Sequence, residues 1–221
     1  MKVKNCSALL IHNTSLIDIS FLRVSVVNKV SLRNGTFDGG RVSFTEINKF
    51  SLRKCNVTNG IFSIVNAEVI NIIDGRFENS SGSPAIHFEN ARNINIEGCR
   101  FLRNPVAIVF VNTMGNIINY QQNAVIKHTQ FIENRQLDRD GGAISSVGTN
   151  LTVENCLFIR NYGRRGGAIS ASESTGIKIV SSTFEGNSAI AAGTFYIAAK
   201  YSEFDKESPA TFENISITSH L

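Results

Sequence analysis

Apolar side chains along this chain alternate with polar ones, lose step, alternate again, and repeat that cycle many times. Ile94-Asn-Ile96-Glu-Gly-Cys99-Arg-Phe101, Leu151-Thr-Val153-Glu-Asn-Cys156-Leu-Phe158 and Ile177-Lys-Ile179-Val-Ser-Ser182-Thr-Phe184 are three copies of one template. Counted back from the closing aromatic, the anchor, apolar residues stand at five and seven positions before it and a small residue stands two before it. Alternation by two marks a strand with one buried face. The parity slips between five-before and two-before, so the chain has to bend there. The residue three before the anchor is Asn34, Lys54, Asp74, Gly98, His128, Asn155 or Ser181. Asn, Asp and Gly tolerate the left-handed backbone that a sharp corner requires.

Anchors are assigned to Ala8, Phe37, Val57, Phe77, Phe101, Phe131, Phe158 and Phe184, with spacings from Phe37 of 20, 20, 24, 30, 27 and 26 residues. One coil of a solenoid consumes a length in that range, and loops absorb the variation. A third short strand follows the anchors: Val42 to Phe44, Ile61 to Val65, Ala85 to Phe88, Val106 to Phe110, Ala143-Ile144 and Ala168-Ile169. Three strands per turn, each stacked on its equivalent, predict an all-β, right-handed parallel β-helix of the pectin-lyase-like kind. It would have about eight coils and occupy 1–221 as a single segment. A leucine-rich repeat would need a Leu-rich frame with one strand per unit, whereas Ile and Val here suit strands throughout.

The composition follows from this plan. Phe numbers 15 and Trp is absent, as expected if anchor rings stack coil on coil. Small residues two before the anchor (Cys6, Gly35, Cys55, Gly75, Cys99, Thr129, Cys156 and Ser182) would make room for them. Hydrophobic content of 42% argues against disorder, and no run approaches the roughly 18 to 20 apolar residues of a membrane span. The net charge is +4, with basic residues scattered and forming no block, which does not suggest nucleic acid. The chain enters its first coil partway and leaves after Asn214 to Leu221, read as the first strand of another coil, with no evident end caps. That pattern suggests a fragment of a longer chain or a unit stacking end to end with neighbouring coils or subunits.

Phe131-Ile-Glu-Asn134 with Gly141-Gly-Ala-Ile144, and Phe158-Ile-Arg-Asn161 with Gly166-Gly-Ala-Ile169, resemble the paired FxxN and GGAI repeats of chlamydial polymorphic outer-membrane proteins. The likeness covers residues 99–197; before that only the strand pattern persists. It implies an extracellular β-helix displayed for adhesion.

Five candidate chemistries remain. Cys6, Cys55, Cys99 and Cys156 take the inward position on alternate coils, about 9.6 Å apart for strands about 4.8 Å apart, beyond the ~7 Å limit for a disulfide. His12, His87, His128 and His220 share no repeat position with them, so no metal site is expected. Asn-x-Ser/Thr occurs at Asn5, Asn13, Asn34, Asn56, Asn79, Asn150 and Asn214, which favours N-linked glycans and a secreted, cell-surface location. Of 6 Asp, only Asp138 and Asp140 are close together, and Asp38 and Glu78 are separated by Thr58. No column gathers three acids, as the Ca²⁺-binding or acid–base sites of polysaccharide-cleaving solenoids would require. Insertions at 111–123, 135–140, 162–165 and 198–208 are where a ligand would bind. Their Asn112, Tyr120, Arg139, Tyr162, Arg164 and Arg165 could engage acidic glycans. The expectation is a non-enzymatic structural or adhesive module of a surface or filament-forming glycoprotein, with no cofactor. The alternative is a carbohydrate-active enzyme whose site lies in these loops or outside the segment.

Overall fold

The structure is a computed structural model describing residues 1–18, 20–114, 121–174, 176–199 and 210–218. All its regular elements are β-strands, and their pairings are parallel. They form a β-solenoid of about eight turns, with one 14-stranded sheet, one 9-stranded sheet and a 2-stranded sheet. No helix is long and apolar enough to cross a membrane.

The 9-stranded sheet carries the anchors in direct register: Leu16, Phe37, Val57, Phe77, Phe101, Phe131, Phe158, Phe184 and Ile217. From Phe77 to Phe184 the rings are buried and stacked, with centroids 4.9, 5.1, 4.6 and 4.6 Å apart. Val57 is too short to join the stack. Phe62, from the third strand, fills the gap and meets Phe37 and Phe77 edge-on at 5.3 and 6.3 Å. Room for the rings does come from the small residues. A Cβ on Gly75 would stand 2.8 Å from the Phe77 ring, and one on Gly35 would stand 3.2 Å from Phe37.

Every predicted bend residue has positive φ, from 48° at His128 to 63° at Gly98. Two further left-handed corners recur along the stack. One lies two after the anchor (Asn59, Asn79, Arg103, Glu133, Arg160), and the other eleven before it (Asn5, Val26, Glu46, Asn66, Asn90). At this last corner the third strand and the next coil's first strand fuse in the early coils. Phe21–Arg33, Arg41–Arg53 and Ile61–Ile73 are therefore single bent strands.

Several expectations are corrected. The first anchor is Leu16, not Ala8, which is exposed beside Lys29. Cys6 consequently sits beside Val27, ten before its anchor, and only Cys55, Cys99 and Cys156 share the two-before position on alternate coils. Asn214 is a corner residue, and Ser216–Thr218 belongs to the anchor sheet rather than to a first strand. Tyr162–Arg165 is a strand, not a loop.

Candidate functional site

Inside the tube, polar side chains are arranged by coil stacking. The Asn three after each anchor is buried at Asn104, Asn134 and Asn161. The Nδ2 of each donates to the Oδ1 of the next, through Asn187, at 3.0, 2.9 and 2.9 Å. Each also donates its second hydrogen to the anchor carbonyl of the coil before: Phe77, Phe101 and Phe131. Each Oδ1 accepts a backbone N–H from the preceding coil, beginning with Ser80. The amides are thus fully satisfied in a place where an unpaired one would be costly.

The two-before position holds a second ladder. The Gly75 N–H donates to Cys99 Sγ at 3.3 Å, the Cys99 N–H to Thr129 Oγ1 at 3.3 Å, and the Cys156 N–H to Ser182 Oγ at 3.1 Å. All four cysteines are free. Burial pushes the Cys99 thiol up to about 12 and the Cys156 thiol up to about 11. Cys55 is raised by the same cause. These are structural groups, held far from the thiolate form that reacts.

The glycine pairs serve the same stacking. Gly141 and Gly166 have φ of +74° and +67°. A Cβ on Gly142 would come within 2.2 Å of the Gly167 carbonyl oxygen, and one on Gly167 within 2.1 Å of the Ser188 oxygen. Backbone passes against backbone there, and no side chain fits.

On the outside, four of the expected ligand residues lie on adjoining segments: Tyr162, Arg164 and Arg165 share one strand, and the Arg139 carbonyl accepts the Arg164 N–H at 2.9 Å. The Asp140 carboxylate accepts from Arg164 Nε at 3.1 Å and from Arg165 Nε at 3.0 Å, with Arg165 Nη2 closing a fork. Hydrogen bonds from Arg165 and then Arg164 hold Asp140 below the usual carboxylate range, and Asp140 in turn raises Arg165. Arg165 Nη1 also donates to the Tyr196 hydroxyl at 2.9 Å, with its guanidinium 4.3 Å from that ring. Tyr162 lies 5.1 Å beneath Arg135. Asn112 closes a turn, donating to the Gly148 carbonyl and accepting from the Met114 N–H. Tyr120 lies outside the described residues. Arg139 lines a cleft of about 360 Å³ together with Arg41, His87, Ser63 and Val109. Burial keeps His87 below the usual imidazole range; Arg41 and Arg139 lower it further, against Glu89. Sequence reading had not named Tyr196 or Arg41, because neither lies in an insertion or a recognisable motif.

Six of the asparagines of the Asn-x-Ser/Thr sites are exposed, and Asn150 is half-buried. Asn5, Asn13, Asn34, Asn79 and Asn214 occupy left-handed corners, while Asn56 and Asn150 lie on strands. Asn34 Nδ2 donates to Asn13 Oδ1 at 3.0 Å, and Asn150 Nδ2 to Asn123 Oδ1 at 3.1 Å. Asp38 accepts from Thr58 and Asn59, both at 2.8 Å, which lowers its pKa. Among the described residues no three His, Cys, Asp or Glu gather as metal ligands.

No family model, curated protein or solved structure matches this chain.

Proposed function

We propose that this chain is a non-enzymatic, extracellular structural or adhesive module of a surface or filament-forming glycoprotein. Its corner asparagines would carry N-linked glycans, and its coils or subunits would stack end to end. One observation supports the reading above the others: asparagine is divided between two roles. Asn104, Asn134 and Asn161 are buried in the ladder that fixes the stack, whereas six of the seven glycan-acceptor asparagines face outward. A rigid wall with acceptors at its corners is suited to display.

The test is intact mass after secretion from a eukaryotic host, before and after enzymatic deglycosylation. Loss of at least one glycan mass is expected; an unchanged mass would overturn the glycoprotein reading. A screen against uronate polymers, with and without Ca²⁺, is expected to find no cleavage. Turnover would overturn the non-enzymatic reading.

A further inference from the structure

The sequence spaces basic residues about one coil apart, so their grouping exists only in the stack. Residues 1–60 carry nine Lys and Arg against three Asp and Glu, while residues 61–221 carry thirteen against fifteen. Within the first region Lys29-Val-Ser31-Leu-Arg33 and Lys49-Phe-Ser51-Leu-Arg53 repeat one pattern on adjacent strands. Their register is direct: Lys29 beside Lys49, Ser31 beside Ser51, and Arg33 beside Arg53. The apolar residues between them are buried, and all four cations are exposed. Like charges therefore face each other across one strand spacing of about 4.8 Å, with the two columns about 13 Å apart along the strands.

This arrangement opposes stability. Like charges directly opposite each other in a sheet repel. The later coils avoid this: Glu97, Lys127 and Glu154 alternate in one outward column and Arg103, Glu133 and Arg160 in another. Among the described residues, none of Lys29, Arg33, Lys49, Arg53 or the neighbouring corner Lys54 takes part in an ion pair. Asp74 stacks on Lys54 at the corner. Its Oδ1 lies 2.7 Å from where a Gly98 Cβ would be, so the carboxylate leans toward the following coil and away from Lys54. His12 extends the arginine column on the other side, in register with Arg33, and its Nε2 is 3.1 Å from Ser31 Oγ.

We propose that the outer face of the second and third coils is a docking surface for an acidic polysaccharide. Paired cations flank a central column of serine hydroxyls, so anionic groups and sugar hydroxyls would both find partners. The platform is a flat strand face whose outward side chains are Lys, Ser and Arg. The outward positions of Lys29–Arg33 and Lys49–Arg53 hold no ring. The lone His12 imidazole at the margin does not make the run of rings on which successive nucleobases stack in single-stranded nucleic acid binding. A linear polyanion lying along the solenoid axis meets two like columns in step and relieves their repulsion. The choice of partner rests on the extracellular reading above; the presence of a polyanion site on this face does not.

The experiment measures binding of the intact chain to labelled heparin fragments and to polygalacturonate over a range of salt. Lys49→Ser with Arg53→Ser is expected to weaken the tighter of the two interactions by about tenfold or more and to flatten its salt dependence. Thermal unfolding of this variant is expected at or above that of the parent, because a repulsion has been removed. Arg160→Ser with Lys178→Ser makes the same charge change elsewhere and is expected to leave affinity within about twofold of the parent. Equal weakening by both variants, or none by the first, would overturn the site. Tighter binding to a single-stranded polynucleotide or to anionic lipid vesicles would overturn the choice of partner. The binding measurements use the chain made without glycans, because Asn13 and Asn34 adjoin His12 and Arg33, so failure here is distinguishable from failure of the glycoprotein reading.

Discussion

Asn134 shows how much one side chain can hold. It accepts from the Asn104 backbone N–H and Nδ2, and donates to the Phe101 carbonyl and Asn161 Oδ1, all in the buried interior. Asn134→Ala strands several of these groups, and each unsatisfied buried group costs about 1–3 kcal/mol. Denaturant unfolding is therefore expected to show a loss above ~2 kcal/mol; a loss within experimental error would contradict the ladder. Val26 is the opposite case. It is 49% exposed, β-branched, and held at a φ of 55°, in a corner column that has Asn at Asn5, Asn66 and Asn90. Val26→Asn relieves backbone strain, with an expected gain of about 1 kcal/mol. A fall in midpoint would remove the strain argument. The thiols set a pH dependence with a definite sign. Cys99 and Cys156 rise from an ordinary value of 9.0 to about 12 and about 11. Below pH 9 both folded and unfolded chains keep these protons, and the thiols contribute no slope. As pH rises from 9 through the folded values, only the unfolded chain releases them at first, so stability falls. Cys99→Ser with Cys156→Ser is expected to flatten that alkaline decline.

At the scale of the strand and its neighbours, Phe131 lies in the middle of the ring stack, fully buried between Phe101 and Phe158. Phe131→Ala is expected to cost about 3–5 kcal/mol; a cost below ~1 kcal/mol would mean that the ring does not bear on its neighbours. The outer charges act on register. Lys127 Nζ is 2.8 Å from Glu154, and Glu97 lies opposite Lys127 on the other side. Lys127→Glu is expected to lower the unfolding midpoint, and adding Glu97→Lys with Glu154→Lys to restore part of it. A triple variant no more stable than the single one would exclude a ladder. The anchor column and the corner three before it were legible in the sequence, because Phe at a fixed offset from Asn, Asp or Gly signals both packing and backbone. The other corners were not. Val26, Glu46, Arg103, Glu133 and Arg160 are residue types that do not advertise a left-handed backbone, and parallel pairing on both sides holds them there. The first anchor was misplaced because Cys6, with Ala8 two residues on, imitates the small residue of later coils, while the true anchor Leu16 lacks the ring that marks most of the others. The burial of the FxxN asparagines was equally hidden, since an Asn beside a turn reads as a surface residue until its neighbours in adjacent coils are known.

The molecule as a whole behaves as a set of columns: rings, amides and small polar groups within, and charges without. Residues about 20 apart in the early coils become immediate neighbours, which is how scattered lysines and arginines become a basic face. The proposed polysaccharide surface and the internal ladders rest on that one geometric claim. Double-cysteine cross-linking on the outer face tests it directly. Ser31 is in register with Ser51, and Ser51 with Asn71. The account predicts that Ser31→Cys with Ser51→Cys closes a disulfide rapidly under mild oxidation, across one strand spacing of about 4.8 Å. It also predicts that Ser31→Cys with Asn71→Cys, two spacings apart, does not. Closure of the second pair as fast as the first, or failure of the first in a folded chain, would contradict the stacking on which the account depends.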